Sequence, residues 1–501
     1  MKKTIAILFV LILLAVAGTY CPATTKSPDI DGNGSVDFND FASIASQWLN
    51  SSQGEPNVSA EWIADYNFYA GKDDPYGMVV DNSGNVYVTG KSWSGNVDYV
   101  TIKYDTNGHQ LWATKYNGPA KYFDTAYAIT VDGSGNSYVT GTSDSSDTSE
   151  SGDYATIKYD PNGVQLWVDR YDGPGHREDL AKAITSDKHG NIYVTGQSYG
   201  GLETGYDYAT IKYSPNGSRL WVKRYNGPEN LDEYATAITT DIFGNIIVTG
   251  TGTTIKYDPN GSQLWAALNG FAVKDVVSDN TGNIYITGRS FFSGNSWDYT
   301  TIKYDPNGNQ IWVALYDGPA NSDDWANAIT IDNIGNIYVT GYGIGSIETW
   351  YDYATVKYDP NGTQLWEARY DGPDSDSDSA NDIITDNDGN IYVTGQSRGL
   401  GTGSDYATIK YDTNGNQIWV ARFNGRNTQN DFSYLIAKDN FGHIYVSGQA
   451  NYSGFNDSIV TIKYSQDLIC QTEFDGDLNS DCKVDINDLA LFAQHWLDKA
   501  E

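Results

Sequence analysis

Twelve residues near each end of the chain carry oxygen donors at the spacing of a calcium loop. Residues 29–40 read Asp-Ile-Asp-Gly-Asn-Gly-Ser-Val-Asp-Phe-Asn-Asp. Carboxylate or amide oxygens therefore fall at loop positions 1, 3, 5, 9 and 12 (Asp29, Asp31, Asn33, Asp37 and Asp40), with Gly34 at the sharp turn. Residues 477–488 fill the same positions with Asp477, Asn479, Asp481, Asp485 and Asp488. A helix is expected after each loop, with Phe41, Ile44, Ala45, Trp48 and Leu49 on one apolar face and Leu489, Phe492, Ala493, Trp496 and Leu497 on the other. Two matches with loop and helix in step predict two Ca2+ sites.

A second set of candidates is aromatic. Of the 14 tryptophans, eight recur at a fixed place in a repeat and two belong to the terminal helices. The remaining four, Trp93, Trp297, Trp325 and Trp350, stand outside the repeating pattern, as do Tyr122, Phe123, Phe291, Phe292, Tyr351 and Tyr452. All lie in loop segments among Asp, Asn, Ser and Gly. Exposed rings beside acid and amide groups suit sugar stacking and hydroxyl recognition; the other reading is that they cap the ends of the sheets. The five histidines form no metal cluster and no Ser-His-Asp arrangement by spacing. Acidic runs at 142–153 and 371–379 hold the residue types of a glycosidase pair, although Ser-Asp runs are commonly just solvated. No sequence feature selects a reaction.

The elements that must position these residues repeat. A GN-IYVTG strand starts near Gly84, Gly135, Gly190, Gly244, Gly282, Gly335, Gly389 and Gly442. A TIKY strand starts at Thr101, Thr156, Thr210, Thr254, Thr301, Thr355, Thr408 and Thr461. The strand-opening tryptophans are Trp62, Trp112, Trp167, Trp221, Trp265, Trp312, Trp366 and Trp419. Asp160-Pro161-Asn162-Gly163 fits a type I turn between TIKY and the tryptophan strand. Four antiparallel strands per repeat, closed radially, solve the edge-strand problem as a propeller. Eight repeats predict an all-β, eight-bladed β-propeller. Trp62 precedes every TIKY strand and no tryptophan strand follows residues 461–464, so an N-terminal strand should complete the last blade. Residues repeated in every blade are structural, and the recurring lysines (Lys103, Lys158, Lys212) are expected to pair with recurring carboxylates.

The formal net charge of −33 argues against nucleic acid, which requires a basic footprint. Lys2-Lys3, an apolar run from Ile5 to Ala17 and Ala15-Val16-Ala17 read as a secretory signal, too short for a membrane span of roughly 20 residues. Of three cysteines, Cys470 and Cys482 are expected to form a disulfide, leaving Cys21 unassigned.

Both terminal segments resemble the calcium-loop-plus-helix repeat of type I dockerins, in the form common in planctomycete secreted proteins. That resemblance implies further ligands in the carbonyls of Ser35 and Lys483, and partner contacts at Phe38, Asn39, Ile486 and Asn487. It also implies a cohesin-type partner. Residues 61–464 resemble the secreted bacterial β-propeller repeat family, SBBP, through GN-IYVTG, DYATIKYD-NG and QLW. The family name implies seven blades against the eight counted here, the short fourth repeat (Gly244 to Gly282) being the difference. The resulting organisation is a signal peptide at 1–17, dockerin-like repeats at 29–50 and 475–498, linkers at 51–60 and 465–474, and the propeller between them. The expected protein is a secreted or cell-surface, calcium-binding scaffold that recognises polysaccharide or protein. Its two halves of a split dockerin leave from one seam. A dockerin-borne lyase or glycosidase is the alternative.

Overall fold

The computed structural model describes residues 58–464, apart from 68–70, 94, 121, 146–151, 229, 292–295, 346–349, 427–428 and 452–456. The terminal calcium loops, their helices, the signal segment and all three cysteines lie outside the described residues. No helix occurs among the described residues, so none is long and apolar enough to cross a membrane. Every regular element is an antiparallel strand.

The local reason is a turn that closes on itself. Gly163 N–H donates to Asp160 O at 3.0 Å, and Asp160 Oδ1 accepts the N–H groups of Asn162 and Val164. The turn before each IYVTG strand uses its aspartate in the same way: Asp132 Oδ1 accepts from Ser134 and Asn136, and its Oδ2 takes the Tyr138 hydroxyl at 2.9 Å. Such Asx turns fix the hairpin register. Within each hairpin the YVTG and TIKY threonines then face one another, as in the Thr140–Thr156 hydroxyl pair at 3.0 Å.

The sheets follow chain order. One contains Asp73–Val80, Val86–Trp93, Val97–Tyr104 and Gln110–Tyr116 in sequence. The first described strand, Ala60–Tyr66, pairs with the last described one, Ser458–Tyr464, placing Ile63 opposite Ile462 and Asp65 opposite Val460. It is the outer strand of the sheet that also holds Phe432–Lys438 and Ile444–Ala450. The inner strands of successive sheets touch in turn, and Phe432–Lys438 returns to Asp73–Val80, so the propeller is closed by its N-terminal strand.

The expectation of eight separate blades is corrected: the strands form seven sheets, six of four strands and one of six. Two sequence repeats share the six-stranded sheet because the connections between their strands are minimal. Ile246–Tyr257 and Gln263–Ser278 run for 12 and 16 residues without the loops present elsewhere. The hydroxyls of Thr249 and Thr254 lie 2.8 Å apart although only five residues separate them, so the first of these strands doubles back at Gly252 (φ 76°). Gly270 (φ 74°) reverses the second. Thr251 then pairs with Ala272, and the ladder joins one repeat to the next across a register shift between Thr251 and Thr253.

Neighbouring sheets are held by contacts that recur around the ring. The second and third strands are buried on both faces, because each face meets another sheet. Tyr99 OH donates to Ala155 O at 3.1 Å, and Tyr154, Tyr299 and Tyr353 reach the corresponding carbonyls of the next sheet. Trp112 Nε1 donates to Pro161 O at 3.0 Å, and its ring covers Gly163, where an added Cβ would lie 2.7 Å from the indole. The recurring lysines serve this same junction. Lys103 Nζ donates to Pro161 O and sits 4.8 Å from the Tyr87 ring centroid, and Lys158, Lys212 and Lys303 repeat both contacts. The expected carboxylate pairing is therefore secondary: it is close at Lys256–Asp241 (2.8 Å) but stretched at Lys158–Asp132 (4.0 Å).

Gly163→Ala combines a positive φ of 82° with a collision against Trp112. Chemical denaturation should show a loss of about 1–3 kcal/mol. Gly133→Ala, with open space around its Cβ position, should change stability by less than about 0.5 kcal/mol.

Candidate binding site

The loops after IYVTG and the loops after the tryptophan strand meet on one side of the sheets, joined by backbone hydrogen bonds. Asp324 N donates to Trp297 O at 2.5 Å, Asp378 N to Tyr351 O at 2.6 Å, and Asp144 N to Phe123 O at 3.1 Å. This places the expected ligand-face residues on a common side but in separate groups. Tyr122 and Phe123 form an edge-to-face pair, with ring centroids 4.6 Å apart. Trp93 is exposed at the end of its strand. Phe292 and Tyr452 lie outside the described residues.

The largest group surrounds the six-stranded sheet. Phe291 and Trp297 meet edge-to-face at 5.5 Å. Trp325 lies 4.9 Å from Tyr342 and 5.3 Å from Tyr351. The Arg289 guanidinium joins the two sets, 5.1 Å from the Trp297 ring and 5.5 Å from Trp325. Phe291 is 57% exposed, Trp297 37%, and Trp350, next to Tyr351, 64%. Gly270, Phe271, Ala272, Arg289, Ser290, Phe291 and Trp297 line an open recess of about 340 Å³. It lies beside the reversal at Gly270, where other sheets have a longer connection such as the one between Tyr171 and Asp179.

Sequence reasoning missed Arg289 and Tyr342. Both occupy the position that follows YVTG or its equivalent, which reads Lys91, Thr142, Gln197, Thr251, Arg289, Tyr342, Gln396 and Gln449 around the ring. A variable position inside an invariant repeat was the available signal.

The same side carries three carboxylate clusters that were also missed as sites: Asp153–Asp172–Asp179, Asp298–Asp317–Asp324 and Asp352–Asp371–Asp378. In each, one oxygen per residue lies within 4.8 Å of the others, with the middle residue exposed and the outer two buried. The acidic runs at 142–153 and 371–379 thus place Asp153, Asp371 and Asp378 in built clusters. In the first and third clusters an arginine compensates: Arg170 Nη2 lies 3.0 Å from Asp153 Oδ2, and Arg369 Nη2 3.3 Å from Asp352 Oδ2. Their third members, Asp179 and Asp378, are pushed up to about 6 by burial, opposed by hydrogen bonds from Ser198 or Ser397 and from backbone N–H groups. Burial pushes Asp324 further, to about 7, against the Gly318 N–H and Arg369, with help from Asp317 and Asp298.

Two more carboxyls, on half-buried residues, are held by backbone N–H groups of their own strand and of the neighbouring sheet. Asp275 accepts Val276 N and Ile329 N, and Asp382 accepts Ile383 N and Ile436 N. Burial still dominates, raising Asp275 to about 6 and Asp382 to about 7.

Parts of the chain match a known repeat family. Residues 61–96, 112–147 and 370–401 match the family model described as SBBP, beta-propeller repeat. These stretches are similar to SBBP propeller repeats. Each SBBP match begins in the outer strand of one sheet and ends in the second strand of the next, or just beyond it, an offset that leaves Ala60–Tyr66 to close the ring. An uncharacterized WD repeat-containing protein of Acanthamoeba polyphaga mimivirus is 25% identical over 471 residues, covering 82% of this chain. The chain spans 30% of that relative's length. Among solved structures, BamB from Moraxella catarrhalis aligns over 81% of this chain and 100% of its own (14% identity, TM-score 0.46). Inactive virginiamycin B lyase from Staphylococcus aureus, solved with quinupristin, aligns over 80% and 98% (11% identity, TM-score 0.40).

The raised carboxyls fix a sign for pH dependence. An aspartate whose folded pKa exceeds its unfolded value of 3.8 takes up a proton on folding, so the stability it supports is present at low pH. For Asp275 and Asp382 that stability is lost as pH rises from about 4 through about 7. The wild-type unfolding free energy should fall by about 1–3 kcal/mol between pH 5 and pH 8. Asp382→Asn, which cannot ionise, should be less stable overall because it loses one acceptor, yet show a shallower pH slope by urea titration.

Proposed function

We propose that this chain is a secreted binding module whose propeller recognises carbohydrate through the aromatic group around Arg289. The observation that carries this reading is the recess lined by Arg289, Phe291 and Trp297, from which Arg289 reaches across to the Trp325, Tyr342 and Tyr351 rings. Exposed ring faces stack on the apolar faces of sugars, while a guanidinium and nearby carboxylates serve the hydroxyls. A recess open to one side suits a chain rather than an enclosed small molecule. The terminal loops extend the reading: their donor spacing supports two Ca2+ sites and attachment to a cohesin-type partner, with Asp29 to Asp40 and Asp477 to Asp488 as ligand segments.

Glycan-array binding followed by affinity electrophoresis on the retained polysaccharide tests the reading. Trp297→Ala should weaken retention about tenfold or more, equivalent to about 1.4 kcal/mol, with little change in the unfolding midpoint. Tyr122→Ala, in a separate group, should leave retention unchanged. Retention that survives both Trp297→Ala and Arg289→Ala would remove the recess from the reading. Release of new reducing ends or unsaturated products would favour the lyase or glycosidase instead.

A further inference from the structure

We propose that Asp298, Asp317 and Asp324 bind a calcium ion at the junction of two sheets, a site separate from the terminal loops and independent of carbohydrate recognition. All three are carboxylates with an oxygen of each within 4.8 Å of the others. That spread fits a Ca2+ sphere, whose oxygens sit about 2.3–2.6 Å from the ion and hence up to roughly 5 Å apart.

The cluster differs from its two counterparts in the groups that would otherwise neutralise it. Leu315 stands where Arg170 and Arg369 serve the other clusters. Gly343 stands where Ser198 and Ser397 supply hydroxyls to Asp179 and Asp378. Asp324 is 1% exposed, and while its Oδ2 accepts Gly318 N–H at 2.7 Å, its Oδ1 has no hydrogen-bond partner. Leaving a buried carboxylate oxygen unmatched is costly. Arg369 acts on Asp324 only from a distance, its Nη2 being engaged by Asp352 Oδ2 and Gly343 O. Asp298 accepts the Ser296 hydroxyl at 3.1 Å, and exposed Asp317 completes the set from the solvent side. Two departures from the repeat thus remove two compensating groups from one cluster. A divalent cation supplies the missing charge, and solvent can fill its remaining coordination positions.

Equilibrium dialysis of the full chain with radioactive calcium reads the site directly. Asp317→Asn, an exposed substitution that leaves packing intact, should bind one ion fewer than wild type. Asp371→Asn, the matching change in an arginine-compensated cluster, should bind the wild-type number. Leu315→Arg, which restores the residue of the sibling clusters, should also bind one ion fewer while remaining folded. Asp31→Asn is the control for the terminal loops and should leave the Leu315→Arg difference in place. An unchanged stoichiometry in both Asp317→Asn and Leu315→Arg overturns the proposal, as does an equal loss in Asp371→Asn.

Discussion

Everything in this molecule rests on how one sheet docks onto the turn of the next. The indole N–H of an outer strand reaches a carbonyl inside the neighbouring x-x-Asn-Gly turn, from Trp112 to Pro161, from Trp167 to Pro215 and from Trp312 to Pro360. The indole ring occupies the space in front of the turn glycine, so the residue that permits the turn also permits the contact. A lysine adds a second donor to the same carbonyl. Because a two-faced strand pair cannot bury itself, the interface between sheets, rather than any single sheet, is the unit of stability. Closure uses the same device: Trp62, on the first described strand, donates to Thr106 O of the next sheet at 3.0 Å. The ring is therefore sealed by one more copy of a contact already made elsewhere.

Much of this was legible because it recurs. Repeated tryptophans, turn aspartates and glycines announced strands, hairpins and an N-terminal closing strand, and the structure has them. Counting motifs, however, counts strands and not the connections between them. The motifs at Gly244 and Gly282 are intact, yet the turns at Gly252 and Gly270 are too short to let their strands separate into independent sheets. Charge misled in a different way. A buried lysine suggests a carboxylate partner, but a turn carbonyl and a tyrosine face meet the same ammonium without a second buried ion, and avoid its desolvation.

The candidate site was half legible for a related reason. Trp297, Trp325 and Tyr351 stood out as aromatics beyond the pattern, and they do gather in one region. Arg289 and Tyr342 did not stand out, since each sits inside a strand at a position that looks like filler. Only the fold shows that this position faces the loops. Asp298, Asp317 and Asp324 were hidden by the opposite effect. They repeat, so they read as structural, and only the absence of an arginine and a serine around them sets one cluster apart.

A repeat array makes such absences informative. Arg170, Arg224, Arg369 and Arg422 each meet the same copy of a buried carboxylate, so the array itself marks where Leu315 replaces the arginine. The turn aspartates carry their negative charge comfortably: Asp132 and Asp386 sit below the ordinary carboxylate range despite partial burial, because several hydrogen bonds from amides and tyrosines hold them there. Asp324 has one such bond and lies above that range. The turn aspartates thus place their charge where backbone N–H groups receive it, whereas Asp298, Asp317 and Asp324 gather theirs at the junction beside the shortest connections and the aromatic recess. Relaxed spacing, lost compensation and unusual side chains coincide there because that is where the repeat has ceased to constrain the sequence.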